Sequence, residues 1–228
     1  MQPVSSEFLG GISTIRVTKV DACGKPVTGP GNAVVCECVA TLAMNPDLDT
    51  ADDIVYRSST GKLCAVKKGC VSLLGYDVEL TVLSYSPELL GIVTGNPAVL
   101  DAGGATIGAD DCSVSCTTGF AVEAWSELVG DACTTNGQKY LYTLLPFIRN
   151  GVLNDITLGD GAISFQLNGH TVAGGQWATG PFSDVQRGTG GTPGKMLTPL
   201  GATCHRRMMI VDTPPPTAVD CGVVAVPA

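Results

Sequence analysis

The sequence predicts a mainly β chain with one short α-helix. Three observations carry this. Gly and Pro are abundant, 29 and 14 of 228 residues, which favours turns over long helices. Several segments alternate apolar and polar residues with the period of a half-buried strand, most clearly 76–82. A single window, 86–95, carries the start and stop signals of a helix. The length suits one β-rich unit, because all-β folds often reach roughly 200–250 residues as a single domain.

Taken in order, residues 1–11 read as an extended N-terminal arm, with Phe8 and Leu9 as apolar anchors ahead of Gly10 and Gly11. A strand is expected over 12–20, a turn over 21–26 and a second strand over 34–43. Residues 45–53 read as an acidic loop. Its aspartates Asp47, Asp49, Asp52 and Asp53 lack the glycine and closing glutamate of an EF-hand, so a solvated loop is preferred to a Ca²⁺ site. Short strands are expected at 54–58 and 62–67 around Gly61.

In 76–82, Tyr76, Val78, Leu80 and Val82 form one face, and Asp77, Glu79 and Thr81 the other, which is wet and acidic. The helix follows over 87–94: Ser86 is a suitable N-cap, Pro87 fits the first turn, Glu88 complements the dipole and Gly95 ends it. A Gly/Ala-rich turn region is expected over 96–111, a long strand over 113–128 interrupted at Gly119, and another over 140–146. Residues 147–151 read as a turn, 156–158 as a continuation, and Asp160-Gly161 as a hairpin. Ile163, Phe165 and Leu167 then alternate with Ser164, Gln166 and Asn168.

The β-rich region therefore runs over 12–184. Residues 185–228 read as a Gly/Pro-rich C-terminal extension, flexible at 188–194 and stiff at Pro214, Pro215 and Pro216. Its end is apolar, which disordered tails rarely are. It suits lying on a partner, or being pinned back on its own domain.

Charged residues make up 15 % of the chain, against a usual ~25 %, and mean hydropathy is +0.27. A surface short of charge suits contact with other protein. The net charge of −8 is uneven: residues 149–228 hold five acids and five bases, so the first 148 carry all of it. Such a surface repels phosphates and argues against nucleic-acid binding. The N-terminus lacks the basic and apolar regions of a signal peptide, and no apolar run suits a membrane span, so synthesis in the cytosol is expected.

Ten cysteines include no C-x2-C pair, and only His170 and His205 are available beside them, so metal binding is the least favoured account. Buried free thiols are expected first and disulfides second, because cytosolic synthesis keeps thiols reduced. No Walker loop, nucleophile elbow, zinc-helix motif or dinucleotide fingerprint is present. The expectation is therefore a non-enzyme without catalytic residues, cofactor or metal.

Three stretches resemble major tail proteins of long-tailed actinobacteriophages: Tyr142-Thr-Leu-Leu-Pro-Phe-Ile-Arg-Asn-Gly151, Asp155-Ile-Thr-Leu-Gly-Asp-Gly-Ala-Ile-Ser-Phe165 and Gly174-Gly-Gln-Trp-Ala-Thr-Gly-Pro-Phe182. The opening Arg16–Gly24, the segment Leu89–Gly95 and the Pro-rich finish from Asp212 are similar too. The resemblance implies a β-sandwich or barrel tail-tube fold with the helix on its flank, and rings, hexameric in that family, that stack into a tube. The implied partners are further copies of the chain, a tape-measure protein, tail terminator and baseplate proteins, and DNA only in transit, with no membrane. The implied location is the virion tail, after assembly in the host cytoplasm.

Within that reading, Asp77, Glu79, Thr81, Ser164, Gln166 and Asn168 are the candidate lumen-facing residues. Phe8, Leu9, Pro214, Pro215, Pro216, Val223 and Val224 are the candidate contacts between rings. Two other readings stand beside it: another tail component, such as a terminator or baseplate ring, and a disulfide-containing surface binding module.

Overall fold

The structure, a computed structural model, describes residues 8–129, 139–154, 156, 163–188, 190–218 and 221–228, without the side chains of Phe8, Leu9 and Val129. The strands are β1 (Phe8–Val20), β2 (Gly29–Cys36), β3 (Val39–Thr50), β4 (Ile54–Arg57), β5 (Leu63–Lys67), β6 (Val71–Val82), β7 (Ala98–Leu100), β8 (Thr106–Ala109), β9 (Gly119–Val129), β10 (Lys139–Leu153), β11 (Phe165–Thr171), β12 (Gln186–Arg187), β13 (Pro193–Gly194), β14 (Arg207–Val211) and β15 (Gly222–Val226). The helix, α1 (Pro87–Thr94), falls where its caps predict.

The fold is mainly β, built on one large antiparallel sheet in the order β15-β2-β1-β9-β10-β11-β6-β3, with β14 joined to β10. The first half of β10 lies between β9 and β14, and its end pairs with β11. Three small hairpins, β4–β5, β7–β8 and β12–β13, stand outside it.

Each face of the sheet buries its own core. On one side, Ile15, Val17, Val122 and Leu145 meet Val78, Leu80 and Val82 of β6, and Leu89, Ile92 and Val93 of α1 close the cluster. Strands β1 and β3 lie against each other without pairing, so the sheet curls around this core. On the other side, Trp125, Tyr142 and Leu144 are covered by Trp177, Phe182, Val185, Met196 and Leu200 from the irregular segment that follows β11.

Helix α1 has local causes. Ser86 Oγ accepts from the Leu89 N–H at 3.2 Å, and Gly95, at φ 72°, donates to the Gly91 carbonyl at 3.1 Å. Its last turn sits so near β10 that a Cβ on Gly151 would lie 2.0 Å from the Val93 carbonyl oxygen.

Several expectations are corrected. The expected strand 34–43 breaks after Cys36 and resumes at Val39. The expected acidic loop 45–53 is strand through Thr50, with Asn45 opposite Asp77 and Asp49 opposite Ser72. The expected strand from 113 begins only at Gly119, because the Ser115 hydroxyl accepts from the Thr118 N–H and folds 115–118 into a turn. The turn region 96–111 contains the β7–β8 hairpin, closed by Asp101 Oδ1 accepting from the Gly103 and Ala105 N–H groups.

The expected turn at 147–151 is a bulge inside β10: the register shifts between Arg149 and Val152, and Asn150 takes φ 55°. Strand β11 begins at Phe165, so Ile163 and Ser164 precede it, and the Asp160-Gly161 hairpin lies outside the described residues.

Candidate functional site

Strands β3 and β6 continue past the core as a projecting hairpin. Beyond the Asp47–Gly75 pair the register slips by a bulge, the two strands run on to Thr50 and Val71, and β4 and β5 carry the hairpin to a turn at 58–61. Leu48 to Thr60 spans thirteen residues, so the contour is about 40 Å at most. Throughout 48–74, every side-chain-bearing residue but Ser58 is exposed. These include Leu48, Ile54, Tyr56, Leu63, Val71 and Leu73, each more than two-fifths exposed. Ile54, Val55 and Tyr56 are successive residues of β4 in regular register and so alternate between faces, yet all three are exposed, so neither face of the outer arm is covered by its own chain. An exposed apolar surface of this extent is unusual on a free-standing monomer.

The polar residues singled out on β6 and β11 come together at the base of this arm. Asp77 faces His170, Glu79 faces Asn168 and Thr81 faces Gln166 across the ladder. Asp77 Oδ1 lies 2.9 Å from His170 Nδ1, and Gln166 Nε2 donates to Glu79 Oε2 at 3.2 Å. Asn168, half-buried, keeps its Oδ1 buried with no protein donor. Ser164 is exposed just before the strand. Val78, Leu80 and Val82 are buried on the opposite side, as the alternation predicts, and Tyr76 is half-buried.

Both histidines meet here. A Cβ on Gly75 would lie 2.5 Å from His170 Nε2, and His205 Nδ1 is 3.1 Å from the Thr171 hydroxyl, which accepts from the Tyr76 N–H.

The candidate inter-ring residues lie elsewhere than the arm reading expects. Phe8 and Leu9 belong to β1, their backbones opposite Val129 and Leu128 of β9, because the strand starts four residues earlier than its alternation suggests. Val223 and Val224 belong to β15 and pair with Val34 and Ala33 of β2. Of these two, Val223 remains exposed and Val224 packs on the second core. Pro214 is exposed; Pro215 and Pro216 are half-buried. The tail is thus the pinned-back alternative, held by a Cys36–Cys221 disulfide and by β14 on β10.

A buried charge cluster fastens the segment after β11. Arg16 donates through Nε and Nη2 to Glu123 at 2.7 and 2.8 Å, and through Nη1 to Asp184 Oδ2 at 2.8 Å. Its guanidinium lies 3.4 Å from the Phe182 ring centroid, and Tyr142 OH donates to Glu123 at 2.8 Å. Burial opposes the charge on Arg16, but Glu123 outweighs it and the pKa is raised. Burial and the same carboxylate push the Tyr142 hydroxyl well up.

The cysteines correct another expectation. Cys36 and Cys221 are buried and bonded, while the other described cysteines, 23, 38, 64, 70, 112, 116 and 204, are free and exposed. They sit in turns and hairpins that face water, and Cys133 lies outside the described residues. Among the described residues, no group of three or more His, Cys, Asp or Glu is placed to hold a metal, and no helix is long and apolar enough to cross a membrane. No protein-family model matches the chain, and no curated protein matches it.

Proposed function

We propose that the chain is a structural, self-assembling subunit: the ring-forming building block of a phage tail tube, through which DNA passes at ejection. The observation that carries the reading is the arm over 48–74, exposed on both faces and rich in Leu, Ile, Val and Tyr. A free monomer gains nothing from such a surface; a polymer buries it. The low charge, the resemblance of 142–151, 155–165 and 174–182 to tail proteins, and the gathering of Asp77, Glu79, Thr81, Gln166 and Asn168 on one strand face also support it.

In this reading the polar face is turned to the lumen, where acidic groups keep DNA from adhering. The contacts between rings move from the chain ends to the arm. Tape-measure, terminator and baseplate proteins are the further partners, and the virion tail is the location.

Negative-stain microscopy of the purified full chain tests this. Hollow tubes of uniform width are expected; a single ring that never stacks points to a terminator or baseplate part. The buried Cys36–Cys221 disulfide favours a second reading, a surface binding module, for which monodisperse monomers at all concentrations are the expected result.

A further inference from the structure

The arm has a charge pattern of its own. Asp49, Asp52 and Asp53 lie on its outgoing side before β4, and Arg57, Lys62, Lys67 and Lys68 lie on β4, β5 and the residues that flank β5. Three acids and four bases leave the arm over 48–74 with one net positive charge, so the acid excess of the chain resides outside the arm. Asp53 accepts from Lys68 at 2.5 Å, and Arg57 closes the tip turn onto the Gly61 carbonyl. Lys62 precedes β5 at the tip turn and Lys67 ends β5 opposite Ile54; both are exposed, on the hairpin that carries the exposed Tyr56, Leu63 and Val66. The β4–β5 hairpin is basic and apolar.

Its complement lies on another part of the same chain. From residue 69 to 138 there is no Lys or Arg. Within that stretch, the β7–β8 hairpin packs on α1 and presents Val99, Leu100 and Ile107 to solvent, next to Asp110 and Asp111. A cleft of ≈ 490 Å³ opens between α1, β7–β8 and the β15 edge, lined by Glu88, Ile92, Pro97 and Val223, with Lys19 of β1 also on its wall. Exposed apolar groups ringed by carboxylates match exposed apolar groups ringed by ammonium groups.

We infer that the β4–β5 hairpin of one copy docks on the α1/β7–β8 face of a second copy, Lys62 and Lys67 against Asp110 and Asp111. The inference rests on the self-assembly reading and specifies its contact. The two surfaces differ, so the contact is head-to-tail and propagates from copy to copy.

Native thiols report on it directly: Cys64 and Cys70 are free and exposed on the arm, and Cys112 is free and exposed beside Asp111. A short bifunctional thiol reagent applied to polymer assembled from mixed ¹⁴N and ¹⁵N full-length chains is expected to join Cys64 or Cys70 of one copy to Cys112 of another. Arm-to-arm linkage alone overturns the inference.

Charge reversal gives the second readout. Lys62→Glu/Lys67→Glu and Asp110→Lys/Asp111→Lys are each expected to raise the concentration needed for polymerisation by roughly tenfold or more, with unchanged far-UV circular dichroism. The four-fold variant is expected to recover assembly. Polymerisation unaffected by either reversal, or a four-fold variant as defective as its parents, overturns the docking site while leaving self-assembly standing. A wild-type chain that never polymerises overturns the self-assembly reading and this contact with it.

Discussion

Strand β6 passes through two environments within twelve residues, and the contrast divides the molecule. Leu80 is 2 % exposed, between a curled sheet and a helix; Leu73 is 43 % exposed, on a hairpin whose two faces both meet solvent. In the body, the strands of the large sheet have a core-facing side, and the buried Arg16 is partnered by Glu123 and Asp184. In the arm, apolar side chains stand in water and ion pairs are peripheral. Burial makes the body fold; the arm is held by its ladder and a few exposed polar contacts, and its own chain leaves its apolar side chains uncovered.

The largest separation of the two comes from Arg16→Met. It strands the buried Glu123 carboxylate, so a loss of about 3–5 kcal/mol is expected, a fall in Tm on the order of 10 °C in calorimetry. Leu80→Ala follows at about 2–5 kcal/mol from lost burial and the cavity left behind. Its counterpart on the same strand, Leu73→Ala, is expected to leave monomer melting within about 0.5 kcal/mol while weakening polymerisation seen by sedimentation. If the two leucines behave alike in melting, the division between body and arm is wrong.

Cys36→Ser removes a crosslink between residues 185 apart and is expected to lower unfolding stability by about 2–5 kcal/mol under oxidising conditions and by far less in excess dithiol. The smallest effect belongs to Asp53, whose carboxyl is held below its usual range by Lys68 and by the Gly69 N–H. A depressed carboxylate stabilises above its unfolded pKa, and that contribution fades as pH falls through the lower folded value. NMR titration of Asp53 is expected to move upward in Lys68→Met, with no measurable change in melting.

What the sequence made readable followed the body. The core face of β6 and the caps of α1 are local signals, a period of two and a Ser-Pro-Glu…Gly pattern, and both stand where expected. In the arm, β4 and β5 stand where short strands were expected around Gly61, but the inner half was hidden because a strand wet on both faces has no alternation; Asp47 and Asp49 opposite Gly75 and Ser72 read as loop. The bulge at Asn150 looked like a turn because one residue at positive φ carries the same composition in either setting. Glu123 and Asp184 lie 107 and 168 positions from Arg16, a distance at which no periodicity speaks. The candidate polar face was half legible: each strand announced its own wet side, and only the ladder places Asp77 beside His170 and Glu79 beside Asn168.

The unbroken course of β6 from arm to body has a mechanical consequence. A pull on the tip travels along the strand axis, and the hydrogen bonds joining β6 to β11 run across that axis from Asp77 to Val82. They are loaded in shear and resist together, whereas a hairpin attached through a loop would peel open one bond at a time. Force spectroscopy on chains tethered through Cys64 and the C-terminus should record one high, cooperative rupture.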